Sequence, residues 1–529
     1  MSKLLNSRSQ WLSSDKIYPY ALIGILMLGF SVRLIGLDKG VWGDETFTIS
    51  MISKANLWEM LQDLRRDVHP PLHYILLYYW SKINNSEEFL RLFSVLFGVG
   101  TIAVVMSWLK QYSYLASILA GIYLATTPIM LRFSQEIRGY SLLLFVTALA
   151  FLFASSIIAT PEKLTGYIGL TLSLIVAIST KLVAIMLLVP LFLFVVIQIT
   201  LEGKKKYWGK IIFTFTIPCL GFIYFYSFYL NKLSQNTADY WIPNLSLYLF
   251  SSTWQYLLGL STLFFHSYLN HILSFLFLAL VTISLIFGKW QKSFSLLAFS
   301  VLFCLEIIIY SLIKTPIFWY RSLLPSLIPL FAFIALQIAT IKSHPIKTAS
   351  IILLATFSIL TTADWITVQA YRPIEYYKTV AQLVELKWQP NNLILFYPGY
   401  ISSPFEYYFE NIPSETVRKI RKKANIEKIK LDLNQYLSQS TANPALISVV
   451  VRLDLNAKVE DFQKLLSALQ SKDSKSRNLQ AFFLISHDLD FVKETSKTND
   501  FLAALEAEFG QPKSSQEEGG YVFAEYEEI

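Results

Sequence analysis

Charge is scarce in this sequence. Only 16% of its 529 residues are Asp, Glu, Lys or Arg, where a soluble globular chain carries roughly a quarter. Cysteine is scarcer, with two in all. Cys219 and Cys304 both sit inside apolar runs, which excludes a disulfide framework and reads as a pair of buried thiols. No glycine-rich phosphate loop, dinucleotide fingerprint or paired-cysteine zinc signature occurs, so the sequence offers no seat for a soluble nucleotide. The small-x-small pattern of a leader cleavage site is also missing after the first apolar block, Pro19 to Leu37. That block follows Lys3, Arg8 and Lys16 and reads as an uncleaved first span.

What fills the chain instead is apolar: 54% of residues are hydrophobic. They gather in blocks of about twenty, long enough to cross roughly 30 Å of hydrocarbon at about 1.5 Å per residue. About eleven spans are expected: 18–36, 90–109, 114–130, 139–158, 165–179, 182–200, 211–230, 267–287, 293–313, 321–341 and 348–368. The block from Thr165 to Thr200 is too long for one straight helix and is divided at Lys181. The stretch from Ser246 to Phe265, with Trp254 and Gln255, suits a helix lying in the interface better than a span. The last third is polar and lysine-rich, so the chain divides into a membrane domain, 1–368, and a soluble tail, 369–529.

The net charge of +8 would raise nucleic acid in a soluble protein, but no basic-aromatic stripe supports it, and no nucleic-acid partner is expected. Lysines beside spans set orientation. Lys204, Lys205, Lys206 and Lys210, then Lys289 and Lys292, then Lys342 and Lys347, all fall on the side of the basic N-terminus. That side is expected to be cytoplasmic, with the tail outside.

The outer loops break the rule that they should be poor in cations. They carry Arg65, Arg66, Arg132, Arg138, Lys181, Lys314 and Arg321, together with Asp38, Asp44, Glu45, Asp67 and Glu136. Snorkelling and loop salt bridges account for some of these. The other reading is an anion site facing outward, and Lys181 between two spans is the hardest to dismiss, because a charge at membrane depth costs about 2.5–3.5 kcal/mol. The first outer loop, 37–89, opens with Trp42-Gly43-Asp44-Glu45. Asn56 and Glu59 then stand in capping-box spacing before a short amphipathic helix whose apolar face is Leu57, Met60, Leu61 and Leu64. Pro70-Pro71 ends helical structure and holds Asp67 and His69 in an extended segment. Asp44, Glu45 and Asp67 are either helix caps and ion-pair partners of Arg33, Arg65 or Arg66, or a base with neighbours that tune it.

These residues resemble a family. Asp44-Glu45 after the first span, the run Asp67-Val68-His69-Pro70-Pro71-Leu72-His73-Tyr74, then Glu88-Phe89-Leu90-Arg91-Leu92, Gln135-Glu136-Ile137-Arg138-Gly139-Tyr140 and Tyr320-Arg321-Ser322-Leu323-Leu324-Pro325 look like the bacterial family-39-like glycosyltransferases of the GT-C superfamily. These are relatives of protein O-mannosyltransferases and of the lipid A aminoarabinose transferase. Tyr371-Arg372-Pro373, Tyr397-Pro398-Gly399-Tyr400 and Pro404-Phe405-Glu406-Tyr407-Tyr408 continue the likeness, which covers about 18–410. The resemblance implies a mainly α membrane protein, a GT-C-type helix bundle with interfacial helices in the first outer loop. It implies inverting transfer of a hexose or pentose from a polyprenyl-phosphate donor to a hydroxyl of a glycolipid or protein, on the extracytoplasmic face of a bacterial-type plasma membrane. By that resemblance Asp44 is the base, Glu45 assists, and Asp67 lies near the acceptor or a metal. Arg138, Lys181 and Arg321 are candidates for the lipid phosphate, with Tyr320 beside them, and His69 is a further candidate for substrate binding. No cofactor is required, and a divalent metal stays open, because Pro70-Pro71 breaks the helical His69/His73 pair.

The tail is expected to be a small extracytoplasmic α/β domain, with strands at Asn392–Tyr397, Ala445–Leu453 and Tyr521–Tyr526 and helices at Val459–Leu469 and Phe501–Phe509. The basic stretch Glu415–Lys430 reads as an exposed helix, solvated or touching anionic headgroups. Ser486-His487-Asp488 is not a hydrolase triad on adjacency alone. Two other classes compete with a transferase. A transporter or flippase of lipid-linked or organic anions would place charges and broken helices at the midplane in repeated halves. A membrane anchor for an adhesive or sensory domain would leave the charged loops unexplained.

Overall fold

The computed structural model describes residues 14–65, 69–233, 242–258, 267–290 and 293–370. Beyond these it describes 377–379, 381–382, 392–397, 405, 407–408, 417–420, 449–453, 463, 481–487, 503–518 and 521–527. Residues group into two compact units, one of 1–39 with 48–372, the other of 40–47 with 373–529.

The first unit is helical: α1 (Ser14–Leu34), α2 (Gly43–Ile52, which begins in the other unit), α3 (Leu57–Leu64), α4 (Leu72–Ser81), α5 (Glu87–Lys110), α6 (Tyr114–Thr126), α7 (Pro128–Phe133), α8 (Tyr140–Ala159), α9 (Leu164–Thr180), α10 (Leu188–Leu201), α11 (Trp208–Leu233), α12 (Leu247–Leu257), α13 (Ser267–Phe287), α14 (Phe294–Ile313), α15 (Tyr320–Thr340) and α16 (His344–Asp364). The apolar segments read from the sequence overlap these helices, with 114–130 covering α6 and the start of α7, and 182–200 covering a 3-10 turn and α10. Among the described residues, seven helical segments are long and apolar enough to cross a membrane: those of α1, α5, α8, α10 with its preceding turn, α14, α15 and α16 with its following turn. With shorter apolar helices in α6, α9 and α13, this is the build of an integral membrane protein.

The faces are sorted as lipid would sort them. Large apolar side chains point outward, as Met27 (60% exposed), Phe213 (67%) and Phe275 (71%) show, while polar groups such as Thr101, Ser117 and Ser155 are buried. α8 packs against α5 and α9, α5 against α6, and α15 against α6 and α8. Trp108 stacks on Phe151 at 5.2 Å and its indole N–H donates to Ser155 Oγ at 2.7 Å. Such internal satisfaction is compulsory where no water reaches the backbone.

Several breaks follow from single residues. Pro128 lacks an N–H, so it cannot serve the Leu124 carbonyl four residues back, and α6 stops. Arg33 compensates: its guanidinium donates to the carbonyls of Leu124 at 3.0 Å, Ala125 at 3.2 Å and Gly29 at 2.9 Å, and to Ser134 Oγ at 3.0 Å. At the expected division, Lys181 is extended (φ −147, ψ 132) and separates α9 from a 3-10 turn that leads into α10. α3 begins where the capping box placed it, with Asn56 Oδ1 accepting from the Glu59 N–H at 2.9 Å. Met60 and Leu64 are buried and Trp58 is exposed. α12 is a short amphipathic helix in the place read as interfacial, burying Leu249, Thr253 and Leu257 on one stripe.

The second unit carries a six-stranded sheet in the order β2-β3-β1-β4-β6-β5. Its strands are β1 (Asn392–Tyr397), β2 (Val417–Ile420), β3 (Val449–Leu453), β4 (Ala481–His487), β5 (Ser514–Glu518) and β6 (Tyr521–Glu527). β2, β3, β1 and β4 run parallel and β6 and β5 antiparallel. Ile394, Leu395 and Phe396 are consecutive and all buried, as a parallel strand covered on both faces requires. A helical turn at 503–509 follows the expected segment, while Val459–Leu469 lies almost wholly outside the described residues. One expectation is corrected. Within the basic stretch read as an exposed helix, 417–420 form the edge strand β2. Lysine and arginine are what protect a sheet edge, so a basic run without helical periodicity suits an edge as well as a solvated helix.

Candidate active site

The polar interior of the first unit is built around the segment 134–139 between α7 and α8. Several buried side chains pin it. Ser94 Oγ donates to the Glu136 carbonyl at 2.6 Å. The Gln135 amide donates to the carbonyls of Arg33 at 2.8 Å and Ile35 at 2.7 Å, and Lys39 Nζ donates to Gln135 Oε1 at 2.9 Å. Arg91, fully buried, donates to the Leu37 carbonyl at 2.6 Å. Arg33 and Arg91 are thus committed to backbone carbonyls. Gly139 opens α8 in a tight place. A Cβ there would lie 3.0 Å from Thr180 Cγ2 and 3.2 Å from His73 Cβ, so a larger residue would have to push those side chains back by a few tenths of an ångström where α4, α8 and α9 meet.

Two cationic groups emerge from that segment. In the first, the buried Arg138 meets Thr48 Oγ1 at 3.1 Å, the Tyr74 hydroxyl at 3.4 Å and His69 Nε2 at 3.0 Å. Lys181, also buried, holds its ammonium 4.3 Å from the centre of the Tyr140 ring. His73 is buried beneath them. Its pKa lies well below the usual histidine value because burial, then the Lys181 and Arg138 charges, disfavour the imidazolium. His73 is a neutral ring packed on Tyr74 and Phe93.

In the second group, Arg132 lies in the last turn of α7. Its Nε donates to Glu136 Oε1 at 3.0 Å and its Nη1 to the Tyr256 hydroxyl. The guanidinium lies 5.5 Å from the Tyr256 ring and 5.8 Å from the Tyr320 ring, and these two rings are 4.6 Å apart. Arg321 lies 5.6 Å from the same Tyr320 ring. Phe133 joins the groups, 4.8 Å from the Tyr140 ring and 6.1 Å from the Tyr320 ring. Four cations, Arg132, Arg138, Lys181 and Arg321, therefore surround one run of chain and its aromatic neighbours. Cations held beside aromatic rings are an arrangement suited to taking an anion against a flat, apolar wall.

Of the expected site residues, Arg138 and His69 are brought into direct contact, and Tyr320 and Arg321 share the Arg132 group. Asp44 and Glu45 open α2, in the second unit. There the Glu45 carboxylate accepts from the Trp42 N–H at 3.4 Å, and the Val41 N–H donates to the Tyr408 hydroxyl at 2.5 Å. Asp67 lies outside the described residues, as do Tyr371-Arg372-Pro373. Among the described residues, no three His, Cys, Asp or Glu side chains gather to hold a metal ion. Sequence reasoning missed Arg132 and Tyr256 as site residues. The four-residue spacing of Arg132 and Glu136 was the available signal for the first. Nothing local marks Tyr256, which comes from a helix more than a hundred residues away.

Comparisons with known proteins meet this geometry. The family model described as dolichyl-phosphate-mannose-protein mannosyltransferase matches residues 68–225, the stretch that supplies His69, Arg132, Glu136, Arg138 and Lys181. No curated protein matches the sequence. The fold is shared with ArnT from Cupriavidus metallidurans in two crystal structures, one bound to undecaprenyl phosphate (TM-score 0.54) and one apo (TM-score 0.56). Identity is 12% in each, over 97% of this chain and 98% of that one. In sequence across residues 68–225, and in fold across nearly its whole length, the chain is similar to the GT-C membrane glycosyltransferases.

Proposed function

We propose that this protein transfers a hexosyl or pentosyl group from a polyprenyl-phosphate donor to a hydroxyl of a glycolipid or protein, with inversion, on the extracytoplasmic face of the membrane. The observation that carries the reading is the set of buried Arg138 and Lys181 with half-buried Arg132 and Arg321, three of the four beside tyrosine rings. A lipid phosphate is already a good leaving group and needs no acid. It needs cations where charge develops as the glycosidic C–O bond breaks. Arginine supplies a planar fork for phosphate oxygens and lysine a point charge. The ArnT structure with undecaprenyl phosphate supports a lipid phosphate as the ligand class.

Asp44 is the base in this reading. It takes the acceptor's hydroxyl proton as the oxygen attacks the anomeric carbon, and the bonding pair leaves on the phosphate oxygen. One displacement inverts the centre. A retaining route would need two carboxyls about 5–5.5 Å apart. Glu45, which holds the Trp42 N–H at the start of α2, positions that helix turn, and Asp67 acts toward the acceptor. His69 steadies Arg138.

The test is transfer of radiolabelled sugar from a panel of polyprenyl-phosphate sugars into membrane acceptors, comparing wild type with Asp44→Asn. Loss of at least a hundredfold in rate, about what a removed general base costs, with donor binding kept, is expected. Full activity in the variant would move the base to Glu45 or Asp67. Absence of transfer from every donor, with uptake or flipping of the lipid instead, would replace the enzyme by a transporter.

A further inference from the structure

Glu136 is an acid in a place built for anions. It is fully buried. Its Oε1 accepts from Arg132 Nε at 3.0 Å, and its Oε2 has no hydrogen-bond partner among the described residues. Arg132 needs no carboxylate to be held in place, since Tyr256 and Tyr320 already flank it. A buried carboxylate with one oxygen unused costs several kcal/mol unless something offsets it, so its retention calls for a reason.

The chemistry of the proposed reaction supplies one. The donor's phosphate is a diester with a single negative charge. When the glycosidic C–O bond breaks, its electron pair stays on the phosphate oxygen, and the acceptor's proton goes to Asp44. The carrier left behind is a monoester of charge about −1.5 to −2 at neutral pH. An unopposed cluster of four cations would hold that product more tightly than the donor, and the enzyme would stall on it.

We infer that Glu136 is the resident counter-charge of the cation cluster, which keeps the released polyprenyl phosphate from binding more tightly than the donor and so allows product to leave. The inference rests on the proposed function above. In this role Glu136 sets the field around Arg132 and touches no reacting atom. It acts as a positioning and charge-setting residue, and it selects against a dianion relative to a monoanion of the same shape.

Binding of two probes to the full-length protein in lipid nanodiscs separates the possibilities. One is undecaprenyl phosphate, a dianion. The other is its methyl phosphodiester, a monoanion like the donor. Wild type should bind the two within about tenfold of each other. Glu136→Gln keeps an acceptor oxygen for Arg132 Nε and removes the charge. It should bind undecaprenyl phosphate about tenfold or more tightly, with a smaller gain for the diester, because the Coulomb term scales with ligand charge. In turnover it should lower kcat and sharpen product inhibition, with KM for donor little raised. Equal changes for both probes, or weaker binding of both, would overturn the inference and leave Glu136 as a structural partner of Arg132. Should the variant not fold, the wild-type ratio decides, since a hundredfold preference for the dianion would also overturn it. If wild type binds neither probe, the lipid-phosphate reading itself fails, which is a different result.

Discussion

At the scale of single residues, the charges of this protein do two kinds of work. Arg33 and Arg91 stand in apolar helices and give their donors to backbone carbonyls that helix breaks leave open. Arg132, Arg138, Lys181 and Arg321 face rings and polar side chains. His73 lies beneath the second kind and is held neutral by burial and by Lys181 and Arg138. Its folded-state pKa is depressed, so the unfolded chain takes up a proton first as pH falls. Stability should therefore decline from about pH 6.5 downward, by at most about 2 kcal/mol at pH 5 from this residue, and the decline stops only below the folded-state pKa. Thermal unfolding in detergent at pH 7.5 and 5 should show His73→Gln losing less between the two than wild type. An equal loss in both would mean that His73 is not the group responsible.

Elements are set by what interrupts them. Pro128 ends α6, Lys181 ends α9, and a π turn, Trp365–Gln369, closes α16. Just after α1 the chain turns at Gly36, with φ +73, and a Cβ there would lie 1.9 Å from the Ala370 carbonyl oxygen. Gly36→Ala should cost about 2 kcal/mol or more, from the left-handed backbone together with the overlap. The readout is the unfolding midpoint in detergent, and a change of under a degree would show that this turn relaxes freely. Much of this level was legible in the sequence. Apolar blocks, the Asn56 cap and the break at Lys181 are local signals, and each coincides with an element boundary. The edge strand at 417–420 was not, because basic residues suit a solvated helix and a guarded sheet edge alike, and pairing with β3 decides between them.

For the whole molecule, the membrane imposes the sorting. Outward apolar faces on α1, α11 and α13 surround an interior whose polar groups are satisfied by one another. The basic loops read as cytoplasmic are knit by local bonds: Tyr207 donates to Glu162 at 2.8 Å, and Lys204 donates to the Ile158 carbonyl at 3.2 Å. The proposed orientation places these loops inside and the sheet outside. With Cys219 and Cys304 replaced by serine, single cysteines at Lys205 and at Glu508 should react oppositely with an impermeant thiol reagent in sealed cells. Glu508→Cys should label at once, and Lys205→Cys only after permeabilisation. The reverse pattern would invert the topology and move the proposed site to the other face.

The sequence by itself determined the class. Long apolar blocks need a bilayer, because that follows from transfer costs that local composition expresses. It also carried the motifs that resemble the GT-C enzymes. Only the tertiary structure decided which arginine does what. A guanidinium directed at a carbonyl and one directed at a tyrosine ring have the same neighbours in sequence, and they differ only in what distant helices bring to them. Arg33 meets the end of α6 because Pro128 breaks that helix there. Arg132 meets Tyr256 because α12 packs on α15. Glu136, one letter in a motif, becomes the buried partner of Arg132 only when the segment between α7 and α8 is packed among its neighbouring helices.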